Sequence, residues 1–145
     1  MKPARTSSRR ARKPCILVAE HLDTARARLS VLLIGAGYEV LLAAKGERAL
    51  HLGTTRRCDA ALVELDLPDM NGLQVCHGLR AQPGLGRLPV VFTSRRPNGI
   101  MIRLVDQVAH SRLLREPLAQ DLVLAALQAT IGEAARWAEE AKAER

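Results

Sequence analysis

At 145 residues, 48% of them hydrophobic, the chain is sized for one domain with a substantial core. Tyr38, Phe92 and Trp137 are the only aromatics, so Leu, Val, Ile and Ala must build that core, and no aromatic platform exists for stacking nucleic-acid bases. The net charge is +7, but residues 1–13, "MKPARTSSRRARK", hold six of the 22 basic groups and no acidic one, which leaves 16 basic and 15 acidic groups for the rest of the chain.

The high isoelectric point therefore belongs to a tail. Residues 1–13 lack an apolar segment, so they read as neither a secretory signal nor a membrane anchor. A solvated, disordered arm is expected there. Non-specific grip on nucleic acid or anionic lipid is the alternative role for that arm, and nucleic acid is not otherwise expected as a partner. Cys15, Cys58 and Cys76 are odd in number and scattered. That argues for buried thiols in a reducing compartment, hence a cytoplasmic location, rather than a disulfide frame or a zinc site. No run of about 18 apolar residues exists to span a membrane.

The elements follow in regular alternation. "CILVA" (15–19) is an apolar run suited to a strand buried on both faces. "DTARARLSVLLIGAG" (23–37) has helical spacing, with Asp23 as expected N-cap and Gly35 and Gly37 closing it. "YEVLLA" (38–43) reads as a strand and "GERALHLGTT" (46–55) as a short helix. "AALVEL" (60–65) is the third strand, and "GLQVCHGLRAQ" (72–82) a helix beginning after the Asn-Gly turn. "PVVFTS" (89–94), a helix over 99–110 and "RLLR" (112–115) complete the alternation, and the chain is helical from Leu118 onward. Strands separated by helices of about ten residues imply a parallel, doubly wound, flavodoxin-like sheet of five strands with an extended C-terminal helix. The expected organisation is a basic tail (1–13), a folded domain (14–132) and a helical extension (133–145). In the last helix Leu127, Ile131, Ala134, Ala138 and Ala141 alternate at steps of four and three, the seam spacing of a weak coiled coil that could pair two copies.

Ligands of such sheets bind beyond the carboxyl ends of the strands. Glu20-His21, Glu64, Ser94 and Glu116 stand at those ends, so one polar cleft is expected. Here "ILVAEH", "GYEV", "AAKGERAL", "DAALVELDLPDMNGLQVCHGLR", "LPVVFTS" and "LLREPL" together resemble a response-regulator receiver domain, over about residues 15–132. The resemblance implies an acidic pair that holds Mg²⁺, an Asp that accepts phosphoryl, a Ser or Thr, and a Lys before a proline that can be cis. In the family the loop proline lies four residues beyond the phosphoacceptor. Counting back from Pro68 reaches Glu64, with Asp66 two residues past the position. The acidic pair is replaced by Glu20 and His21, the Lys by Glu116, and only Ser94 keeps its kind.

Each change opposes phosphoryl transfer. Glu64 is one methylene longer than Asp and moves the nucleophile, in a reaction that depends on positioning and charge neutralisation. An imidazole is a poor ligand for Mg²⁺. Glu116 repels the phosphoryl oxygens that a Lys would pair. Crowded carboxylates disfavour full ionisation, and a His among them is favoured in its charged form. The slot is thus expected to be filled by a His21–Glu64 ion pair, or by Arg95 or Arg115 swinging in.

The reading that results is a pseudo-receiver: a signal-transduction module without aspartyl phosphorylation, not an enzyme, with no cofactor and no resident metal. Its expected partner is a signalling protein, bound through a face including Ile100, Ile102, Arg112 and Leu113. With only helix after residue 132, output is expected through a separate protein or self-association. His51, His77 and His110 are expected to face solvent. Two alternatives remain: a phosphoacceptor using Asp66 or Glu64, and a nucleic-acid-associated protein acting through the basic tail.

Overall fold

A computed structural model describes residues 12–144, so the expectation for the basic tail lies almost wholly outside the described residues. Five strands, β1 (Cys15–Ala19), β2 (Glu39–Ala43), β3 (Ala60–Glu64), β4 (Val90–Ser94) and β5 (Ser111–Arg115), alternate with five helices. The helices are α1 (Asp23–Gly35), α2 (Gly46–Thr55), α3 (Gly72–Arg80), α4 (Gly99–Asp106) and α5 (Gln120–Ala143). All strand pairs are parallel, in the order β2-β1-β3-β4-β5.

Successive residues of a strand point to opposite faces, so the apolar runs of β1 and β3 feed two cores at once. Leu17, Ala61, Val63 and Phe92 join Ala49, Val75, Leu79 and Val105 on the face covered by α2, α3 and α4. Ile16, Val18, Leu62 and Val91 join Leu29, Leu33, Val123 and Leu127 on the face covered by α1 and α5. Every residue of β1, β3 and β4 is buried, which is why these strands lack polar alternation. Cys15, Cys58 and Cys76 are free and buried, and burial pushes the Cys58 thiol up to about 12, out of range for reactivity near neutrality.

The helix starts are set by short polar side chains. Asn71 and Gln74 form a reciprocal capping box on α3, and Asn98 accepts from the Met101 N–H on α4. Asp69 accepts from the N–H groups of Gly46 and Glu47 at 2.8 and 2.9 Å, tying the loop after β3 to the start of α2. Those hydrogen bonds, first the one from Glu47, hold the Asp69 carboxyl below its usual range. The expectation of Asp23 as N-cap is corrected. Leu22 is the extended cap residue and makes no side-chain cap, while Asp23 lies in the first turn, where its charge favours the helix dipole.

α4 is shorter than expected, ending at Asp106, because the chain turns through His110 with φ of 54° before β5. His51 and His77 are exposed, but His110 is half-buried against Trp137, their ring centroids 5.3 Å apart, so its expected solvent-facing position is corrected. The Arg87 guanidinium stacks over the same indole, 3.6 Å from its centroid. Glu133 pairs with Arg112. The start of the C-terminal extension is therefore fastened to the body. Leu127 is fully buried and Ile131 packs on the α1–α5 core, so two of the five residues of the expected coiled-coil seam are consumed by the chain's own sheet.

Candidate functional site

The loops after β1, β3, β4 and β5 converge at the carboxyl ends of the strands, and they carry Glu20-His21, residues 65–71, Arg95 and Glu116 respectively. Glu20 and Glu64 are 1% and 2% exposed, unusual for two carboxylates, and Ser94 is wholly buried. His21 bridges them: its Nδ1 lies 2.7 Å from Glu64 Oε2 and 3.5 Å from Glu20 Oε2. The backbone fixes the same atoms, since the His21 N–H donates to Glu64 Oε2 at 3.0 Å and the Leu22 N–H to Glu20 Oε2 at 2.8 Å. The expected His21–Glu64 contact is therefore present.

Arg95 swings in from the end of β4, and Arg115, the other expected cation, is exposed on β5. Arg95 Nε is 3.2 Å from Glu116 Oε2, an ion-pair distance without hydrogen-bond alignment, and the Arg95 guanidinium reaches to 3.9 Å from Glu64 Oε1. The peptide bond before Pro117 is cis. Asp66 stands apart, exposed on the loop and bridged through its backbone to Asn71. Arg26 was not anticipated from the sequence: it donates to the carbonyls of Glu20 and His21 at 2.9 and 3.3 Å and so clamps the turn after β1. It also pairs with Asp23, three residues before it on α1. On the expected partner face, Ile100 and Ile102 are exposed, as are Leu104 on α4 and Leu122 on α5. Leu113 packs instead against the core on the side of the sheet covered by α2, α3 and α4, and Arg112 is engaged by Glu133.

Burial of the charge pushes the Glu20 carboxyl up to about 7; the Leu22 hydrogen bond opposes this, and the neighbouring Glu64 carboxylate adds to it. Glu116 is also raised, chiefly by burial, with Arg95 opposing. A carboxyl raised in the folded state contributes stability that is present below the unfolded value and lost as pH rises through the folded one. With a chelator present, unfolding free energy is expected to fall by on the order of 2 kcal/mol between about pH 5 and about pH 8. Urea denaturation across that range measures it, and Glu20→Gln should flatten the curve. A curve that rises through the range would contradict the assignment.

The arrangement corresponds to known proteins. The model of the response regulator receiver domain matches residues 16–128. The sensor histidine kinase AruS of Pseudomonas aeruginosa is 34% identical over 116 residues, covering 77% of this chain and 11% of that protein, so the chain spans a small part of this relative's length. The chemotaxis protein CheY4 of Vibrio cholerae superposes with a TM-score of 0.77 at 24% identity, covering 82% of this chain and 99% of that one. The receiver domain of another Pseudomonas aeruginosa sensor histidine kinase, with a magnesium ion coordinated in its active-site cleft, gives a TM-score of 0.74 at 25% identity, covering 83% and 99%.

The donors in the present cleft do not fit such an ion. Mg²⁺ demands near-octahedral hard oxygen ligands at about 2.0–2.1 Å. Here an imidazole nitrogen replaces one oxygen and already lies against Glu64. Among the described residues, no helix is long and apolar enough to cross a membrane.

Proposed function

This chain belongs to the response regulator receiver domain family, and we propose that it serves two-component signal transduction as a protein-interaction module that works without aspartyl phosphorylation. One observation carries the reading: Glu64, at the acceptor position, is held by the His21 ring at 2.7 Å and by the His21 N–H at 3.0 Å. A nucleophile bonded on one side and displaced by a methylene lacks the in-line approach that phosphoryl transfer requires. Glu116 adds a negative charge where the reaction needs a positive one, and Arg95 is occupied in offsetting it.

Output then passes through a surface. The exposed Ile100, Ile102, Leu104 and Leu122 offer apolar anchors on α4 and the start of α5 for a signalling partner. Ala134, Ala138 and Ala141 leave a narrow stripe on the far half of α5 as a route to self-association. Intact-mass spectrometry after incubation with Mg²⁺ and acetyl phosphate tests the reading, with no phosphoryl adduct expected. An adduct mapping to Asp66, the exposed carboxylate of the loop, or to Glu64 would replace it with the phosphoacceptor alternative.

A further inference from the structure

On the side of the sheet covered by α1 and α5, a hollow opens between α1 and the chain that enters α5. Its volume is about 750 Å³, within the roughly 300–1,000 Å³ of small-molecule sites. Leu22, Ala25, Leu29 and Leu32 recur along α1 at steps of three and four and form one wall, with Leu118 and Val123 on the other. The wall is lowest at Ala25, which ends at a methyl between the longer Leu22 and Leu29. A second hollow of about 590 Å³ continues the first toward Ala36, with Arg28, Leu32 and Gln120 lining both. Together they follow α1 for about 20 Å.

Three charged side chains line this groove, Arg28, Arg95 and Glu116, a net of one positive charge. Arg95 is committed to Glu116 at 3.2 Å and reaches Glu64 at 3.9 Å. Arg28 is exposed at the rim and has no ion-pair partner among the described residues. A long apolar trough with one unmatched guanidinium suits a long apolar molecule that carries one anionic group.

We infer that the α1–α5 groove binds a single-chain amphipathic carboxylate, its chain along Leu29, Leu32 and Val123 and its carboxylate on Arg28. Thr24, one turn before Arg28 on α1, and Gln120 across the groove offer a hydroxyl and an amide beside the head group. An uncharged chain would leave Arg28 unmatched, and a small inorganic anion would gain nothing from the leucine wall. The groove also borders the polar cleft. The Leu22 N–H donates to Glu20 Oε2, and Arg95 stands between Glu116 and Glu64, so an occupant touches residues that hold the cleft together. Ligand binding would then give this receiver an input that needs no phosphoryl group. Only that consequence rests on the cleft's being closed to phosphoryl transfer; an adduct at residue 64 would leave the groove and its ligand in place.

The test is an amide NMR titration of the full chain with octanoate, beside octan-1-ol as the uncharged chain. Octanoate should bind saturably, with the largest shifts at Arg28, Leu29, Leu32, Leu118 and Val123, and about fivefold more tightly than the alcohol. Arg28→Gln should remove that advantage and leave the alcohol's affinity unchanged. Ala25→Leu fills the hollow and should weaken both probes, while Arg48→Gln, on α2 across the sheet, should weaken neither. The same spectra report whether each variant is folded, and the titration of the unmutated chain stands without them. Absence of saturation, shifts centred on Ile100 and Ile102, or octanoate binding indifferent to Arg28→Gln would overturn the inference. So would movement of the groove residues on dilution of the chain alone, which would assign the groove to a second copy of this chain.

Discussion

Replacing His21 by Asp, Glu64 by Asp and Glu116 by Lys together is expected to give a chain that takes a phosphoryl group, where the unmutated chain is expected to take none. The fold already supplies the rest, because Ser94 sits at the end of β4 and the loops after β1, β3 and β5 converge on one cleft. His21→Asp restores a second oxygen donor for Mg²⁺ and removes the ring that lies 2.7 Å from the acceptor carboxylate. Glu64→Asp withdraws the nucleophile by a methylene, and a misplacement of about 1 Å can by itself cost on the order of 10²-fold. Glu116→Lys exchanges a repelling charge for one that pairs with phosphoryl oxygens, and it frees Arg95 from its 3.2 Å contact. None of the single variants meets all three requirements, so none should accept phosphoryl on the same timescale. Intact-mass spectrometry with acetyl phosphate, followed by mapping to residue 64, reads the result. Full labelling of the Glu64→Asp single variant would show that the cleft tolerates His21 and Glu116.

Gly72→Ala is expected to cost about 3 kcal/mol, and its cause lies directly beneath the cleft. α3 begins hard against the end of β3, where a methyl on Gly72 would stand 2.6 Å from the backbone oxygen of Glu64 and 3.1 Å from the Leu65 Cα. Both are backbone atoms and cannot rotate away. The Gly72 N–H also donates to the Leu65 carbonyl at 2.9 Å, so a retreat of the helix would break that link. The roughly 1 kcal/mol by which Ala is the better helix former is too small to compensate. Gly35→Ala is the control: a methyl there meets nothing within 4 Å, and the change should be neutral or slightly stabilising. Urea midpoints of the two variants give the comparison, and equal midpoints would contradict the close approach at Gly72.

Much of this was legible in the sequence, for physical reasons that can be named. The strands came through to within a residue because runs such as "CILVA" and "AALVE" are buried on both faces and have no polar alternation to confuse with a helix. Glu64 was placed by counting back four residues from Pro68, as the resemblance to receivers implies. Other features depended on choices that spacing does not encode. Leu127 and Ile131 carry a seam pattern, but a pattern does not say whether the sheet or a second helix covers it. Leu113 and Ile102 are both apolar, but Leu113 sits on a strand covered by helices on both faces, while Ile102 remains exposed on a helix. The hydrogen bonds of Arg26 and Asp69 go to backbone atoms, which every residue possesses, so no pattern of side chains announces them.

In this cleft His21 lies against Glu64, and no phosphoryl group is expected to enter it. The most direct measurement is the intact mass of the unmutated chain after incubation with Mg²⁺ and acetyl phosphate, beside a receiver that retains its acidic pair, Asp and Lys. The expected result is an adduct on the companion receiver and none on this chain. An adduct on this chain, stable enough to map to Glu64 or Asp66, would contradict it.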